Sequence, residues 1–175
     1  MAASDNVVRA GLTPKFKDVD VLINMLTYTT EKPSEHIMAP TVYGNPSGDL
    51  RFPGPIHTVL YDPPIEEFSV LQTTLPSSDA ASHSRVANSP SKSISETIPP
   101  LKGPSILIVV QGSIKMKTFI PSEKEPISMR ILTEENILTG HVYFISAGVA
   151  VRMEPIEHAR EKEPAVIYRA LCETK

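Results

Sequence analysis

Along the first third of the chain one stretch repeats its apolar residues at helical spacing, and from residue 57 onward the period changes to two. In "DVDVLINMLTY" (18–28) Val19, Leu22, Ile23 and Leu26 fall at i, i+3, i+4 and i+7, which predicts an amphipathic helix ending before Pro33. Asp18 stands where a carboxylate caps a first turn. Beyond it, "TVLY" (58–61) and "FSVLQTTL" (68–75) read as strands. "ILIVV" (106–110) reads as a continuously buried strand, and "QGS" as a turn into "IKMKTFI" (114–120). There Ile114, Met116 and Ile120 share one side and Lys115 and Lys117 the other, so the two runs are expected to pair as a hairpin. A second pair is expected from "HVYFI" (141–145), the turn "SAG" and "VAVRM" (149–153), with Val149, Val151 and Met153 alternating against Ala150, Arg152 and Glu154. "AVIYRAL" (165–171), rich in β-formers, makes a last strand. At least seven short strands and one helix predict an all-β sandwich or barrel, with a jelly roll favoured.

Composition modifies this picture in one respect. Seventeen prolines in 175 residues stand against roughly nine at the usual ~5%, and Pro33, Pro40, Pro46, Pro53 and Pro55 punctuate a connector before the strands. The run "SSDAASHSRVANSPSKSIS" (77–95) holds eight serines and only two aliphatic residues larger than alanine. Such a run buries too little apolar surface to offset its ordering entropy, so a disordered insert is expected over 77–103.

Charge and titratable residues exclude more than they suggest. A formal net charge of -3 with no Lys/Arg cluster gives no attraction to a polyanion, so no nucleic-acid partner is expected. The apolar runs are too short for a spanning helix or a signal peptide, so no membrane partner is expected and a cytoplasmic address follows. Cys172 is the single cysteine, which forbids an intrachain disulfide and suggests a buried, inert thiol. His36, His57, His83, His141 and His158 lack the spacing that sets two imidazoles on one face, and no metal site is expected from them; His141, at a strand start beside Gly140, is the best of a weak set. Neither a phosphate loop nor a serine elbow is present.

The start of the chain is more specific. "MAASDNVVRAGLTPKFKDVDVL" (1–22) resembles a signature of the type I mannose-6-phosphate isomerase (phosphomannose isomerase) family, and the resemblance continues in "YDPPIEEFSVLQT" (61–73), "PSILIVVQGSI" (104–114) and "GHVYFISAG" (140–148). It implies a cupin-type β jelly roll, specifically the C-terminal cupin of the family, and an activity that interconverts mannose 6-phosphate and fructose 6-phosphate on the way to GDP-mannose. It further implies that Arg9 is catalytic, its cation stabilising charge that grows on the sugar oxygens, and that Lys15 binds anionic oxygens of the substrate. Gly11 and Pro14 would shape the turn between them, glycine by permitting an unusual φ. The family's zinc ligands, two histidines, a glutamine and a glutamate, precede the signature, so no metal ligand is expected here and no Zn2+ is expected to bind this chain alone. The "GHVYFISAGVAVRM" run resembles a cupin second motif without its histidine.

The expected organisation is therefore residues 1–17 as the end of a catalytic-domain motif, 18–56 as helix and Pro-rich connector, and 57–175 as the C-terminal cupin-like domain. The expected partner is a sugar phosphate in the full-length enzyme. As a C-terminal fragment the chain is expected to be inactive alone, with residues 1–12 loose; the alternative is a non-catalytic cupin module that binds a sugar phosphate or a protein.

Overall fold

Alternation of inward apolar and outward polar side chains, where it is strict, sorts the strands into two antiparallel sheets. The computed structural model describes residues 8–9, 11–12, 14–27, 30–44, 48, 52, 54–65, 67–77, 94–121, 129–156 and 163–172. The chain divides into two units, Met1–Ile37 and Met38–Lys175.

In the first unit, helix α1 spans Val19–Met25, and Pro33–His36 forms a 3-10 turn whose first residue is the proline. The helical spacing is realised, but no residue of α1 is buried within the chain: Val19 is 44% and Ile23 60% exposed. The expected side-chain cap from Asp18 does not form. Its backbone lies at φ -110, ψ 64 rather than in the extended region a capping residue uses. Instead the Asp18 N–H donates to the Arg9 carbonyl at 2.7 Å, and the Asp18 carbonyl accepts from Leu22 N–H.

The second unit contains ten strands among the described residues: β1 Thr41–Val42, β2 Thr58–Tyr61, β3 Ser69–Leu75, β4 Glu96–Ile98, β5 Ser105–Gln111, β6 Ile114–Pro121, β7 Met129–Ile137, β8 Val142–Ile145, β9 Ala150–Pro155 and β10 Ala165–Leu171. One sheet runs β1-β2-β3-β10-β5-β8 and the other β4-β9-β6-β7, with every neighbouring pair antiparallel. This is the all-β, jelly-roll sandwich with one helix that the sequence predicts. Strand β10 is central, so Ala165, Ile167 and Leu171 pack with Leu71, Leu75, Leu107 and Val109 of its neighbours and with Ile98, Ile114, Val151 and Met153 of the other sheet. Fully burying each such aliphatic side chain is worth ~1.5–3 kcal/mol, so this layer supplies most of the stabilisation. A smaller cluster joins Phe52, Phe119 and Ala150.

Both expected hairpins are corrected by the sheet order. β5 belongs to the six-stranded sheet and β6 to the four-stranded one, and β8 and β9 part in the same way. The turns at 111–113 and 146–149 are corners that carry the chain across the sandwich. Gly112 makes the first possible: its φ is +74, and a Cβ there would meet the Ala165 backbone at 3.0 Å. Burial along β5 is also alternating rather than continuous, with Ile106 52% and Val110 42% exposed. In β6 the register shifts between Thr118 and Phe119, so Phe119 turns inward and Ile120 outward, against the alternation read from sequence. Ala150, expected to oppose the core face, is fully buried against the aromatic pair of the smaller cluster.

The disordered insert expected over 77–103 is corrected at its C-terminal end. Residues 78–93 lie outside the described residues, but Glu96–Ile98 forms β4, buried along its length and paired with β9. Ile98 and Leu101 enter the main core, which supplies the apolar burial that the serine run lacks. Gly103 then lies against the end of β10, where an added Cβ would stand 2.0 Å from the Cys172 carbonyl oxygen. Gly103→Ala is expected to lower stability by ~1–3 kcal/mol, because a backbone atom of the central strand must give way. Urea unfolding measures this; an unchanged midpoint would mean that the end of β10 moves freely.

Candidate functional site

Chemistry-bearing residues occur in two places, each within one unit. On the N-terminal segment, Arg9 and Lys15 both have exposed side chains. The backbone of Arg9 is fastened to the start of α1 by the Asp18 hydrogen bond, so the arginine leaves the surface from an anchored point. The turn between the two cations differs from expectation. Gly11 is not in the left-handed region; Leu12 is, at φ +51, with its side chain fully exposed. A branched-chain residue pays a conformational penalty there of ~1–3 kcal/mol, so Leu12 is held in a backbone conformation that its side chain does not favour locally. Val8 is half-buried; Val7 and the rest of residues 1–7 lie outside the described residues.

The second place is the interior of the sandwich, where sequence reasoning named nothing. Glu96 of β4 is 2% exposed and reaches across to the other sheet: its Oε1 accepts from Thr58 Oγ1 at 2.8 Å and from the His57 backbone N–H at 2.9 Å. Since the single Thr58 proton goes to the carboxylate, the 2.8 Å contact between Thr58 and Thr73 is donated by Thr73. A relay of Thr73, Thr58 and Glu96 thus ties the two sheets together. Further along the six-stranded sheet, Arg169 is 3% exposed on the inner face of β10, and its Nε donates to Ser105 Oγ at 2.9 Å. Burial holds the guanidinium down to about 10, with Tyr43 opposing the shift, so it remains charged at neutral pH. The signal for Arg169 was present in "AVIYRAL", where strict alternation sets it on the same face as Ala165, Ile167 and Leu171.

The outer face of the four-stranded sheet carries a simpler electrostatic feature. Lys115 and Lys117 of β6 both pair with Glu134 of β7. The hydrogen bond and charge of Lys115 hold the Glu134 carboxyl below the usual carboxylate range. Its contribution to folding is therefore present above the ordinary carboxylate pKa and lost as the pH falls through the lowered one. All three groups are open to solvent, and pairs of that kind contribute little.

Among the described residues no group of three or more His, Cys, Asp or Glu could hold a metal ion. His36 pairs with Glu31 on the surface, His57 is half-buried beside Glu96 and His141 is exposed, whereas His83 and His158 lie outside the described residues. Cys172, expected to be buried, is exposed just past the end of β10. No described helix is long and apolar enough to cross a membrane.

Comparison with known proteins joins these observations. Residues 58–117 match the sequence model of the family described as Phosphomannose isomerase type I C-terminal. The chain is similar to the C-terminal portion of type I mannose-6-phosphate isomerases. It is 38% identical over 173 residues to mannose-6-phosphate isomerase of Schizosaccharomyces pombe, a match covering 99% of this chain and 33% of that protein. The corresponding enzyme of Candida albicans is 37% identical, again over 99% of this chain and 33% of the relative. The chain thus spans about a third of the length of these relatives. Among solved structures, the apo form of mannose 6-phosphate isomerase from Salmonella typhimurium superposes with a TM-score of 0.57 at 20% identity, covering 99% of this chain and 32% of that one. At that identity the likeness shows the fold alone, the antiparallel two-sheet sandwich described above.

Proposed function

We propose that this chain serves a mannose-6-phosphate isomerase, the aldose-ketose isomerisation of mannose 6-phosphate and fructose 6-phosphate that feeds GDP-mannose, in the cytoplasm. The observation that carries the reading is similarity over 99% of the chain to mannose-6-phosphate isomerases of several fungi. The reaction moves a proton between C1 and C2 of the open-chain sugar through a cis-enediol, and negative charge rises on the sugar oxygens as the C–H bond breaks. A guanidinium held beside those oxygens stabilises that charge more than it stabilises the neutral sugar, which is what lowers a barrier. Arg9 is assigned this role and Lys15 the binding of the substrate's anionic oxygens. The anchored backbone of Arg9 and the left-handed Leu12 between them support the assignment, because a strained turn is tolerated where it presents side chains in a required direction. The family's Zn2+ does not fit the described residues, and no step is assigned to it in this chain.

The test is a graft. This chain replaces the matching C-terminal third of the Schizosaccharomyces pombe enzyme, and turnover of mannose 6-phosphate is measured with zinc present. Turnover within about tenfold of the parent is expected from the graft, whereas the 175-residue chain alone with zinc is expected to give none. A well-folded graft without activity would refute the reading.

A further inference from the structure

Among the described residues, Arg169 is a charge buried without a carboxylate partner. On the inner face of β10 it stands in register with Leu71 of β3 on one side and Leu107 of β5 on the other. Its Nε is satisfied by Ser105, but Nη1 and Nη2 are both buried with no hydrogen-bond partner. An arginine does not relieve such burial by shedding its proton near neutral pH. The buried carboxylate on the opposing sheet, Glu96, spends Oε1 on Thr58 and His57, and neither Nη1 nor Nη2 of Arg169 reaches a hydrogen-bond partner. Buried donors are nearly always paired, and an unpaired buried cation is among the costliest arrangements a fold can hold. The two free nitrogens form one edge of a planar fork, and that edge matches two oxygens of a carboxylate or phosphate group.

We propose that the interior of the sandwich is an anion site, in which Nη1 and Nη2 of Arg169 hold a small oxyanion of the phosphate or carboxylate class while Ser105 fixes the guanidinium through Nε. The site lies within the β-sandwich unit and is independent of the role assigned to Arg9. Ser105 acts as a positioning residue: it sets the plane of the fork without touching the ligand.

The experiment uses the 175-residue chain, dialysed free of oxyanions and melted as inorganic phosphate or acetate replaces chloride at constant ionic strength. The wild-type midpoint is expected to rise by ~5 °C or more when the oxyanion reaches a hundred times its half-saturating concentration. Arg169→Met is expected to lose that rise while melting no lower than wild type without oxyanion, because a buried charge has been exchanged for an apolar side chain of similar volume. Should that variant fail to fold, Ser105→Ala keeps the guanidinium and is expected to weaken the oxyanion response several-fold. The 31P resonance of inorganic phosphate reads binding to the wild type directly. Two results would overturn the proposal: an equal rise in Arg169→Met, or a wild type that responds to neither oxyanion and leaves the phosphate resonance unchanged, in which case buried water satisfies the fork. A response to phosphate or to acetate supports the site, and the two arms show which oxyanion the fork prefers.

Discussion

Glu96→Ala is expected to lower the unfolding free energy by ~3 kcal/mol or more, the largest effect of any single polar substitution in the sandwich. The carboxylate is the common acceptor for a hydroxyl and a backbone N–H that are both sheltered from water, and each left unsatisfied costs ~1–3 kcal/mol. The loss is also one of register between sheets, because β4 pairs with β9 in one sheet and grips β2 of the other only through this side chain among the hydrogen bonds described. Glu96→Gln keeps a carbonyl oxygen for the same donors and is expected to retain most of the stability. At ~2–4 °C per kcal/mol for a chain of this size, the alanine variant should melt ~6–12 °C below wild type and the glutamine variant within a few degrees of it. Equal melting of the alanine variant and wild type would show that the two sheets hold together without the relay.

What the sequence made legible follows from how local each signal is. The central strand β10 and the strands β2, β3, β5, β6, β8 and β9 were readable because short runs of β-branched and apolar residues suit a pleated, half-buried surface, although β5, expected to be buried continuously, alternates. Which strands pair was not readable from the same pattern. Gly112 and Gly148 at positive φ serve a corner between sheets as well as they serve a hairpin, and only packing of the whole sandwich decides between them. β7 went unread because, among the described side chains of "MRILTEENI", those of 130–136 are exposed and Ile137 alone is buried, so no apolar stripe marks it. β4 was hidden by its neighbours: three residues following a serine-rich run carry no periodicity, and their order comes from contacts with β9 and the main core.

The candidate site divides in the same manner. Arg9 and Lys15 were reached through the resemblance of the opening signature, not through anything in their spacing, and the structure adds the anchored backbone and the displaced left-handed residue. Arg169 needed only the alternation rule, since an arginine on the apolar side of a strand must be buried with a partner or carried for one. Glu96 was beyond such reading, because its partners Thr58 and His57 lie almost forty residues away and on the other sheet.

Removal of the Arg9 cation is the second large effect expected. In the grafted enzyme, Arg9→Ala is expected to lower kcat by ~10²–10³, the range seen when one preorganised stabiliser of a developing oxyanion is deleted. KM should change little, since the interaction strengthens only as charge develops. Arg9→Lys should recover part of the rate: it restores the charge as a compact ammonium without the planar fork. A purely structural role would instead affect thermal stability, yet the Arg9 side chain is exposed and its structural hydrogen bond is made by the backbone carbonyl, which alanine keeps.

The most direct measurement is therefore kcat for mannose 6-phosphate in the grafted enzyme carrying arginine, lysine or alanine at position 9, with the melting temperature of each recorded alongside. The account predicts rates that descend in that order at constant stability. An alanine variant that turns over as fast as the arginine form would contradict it.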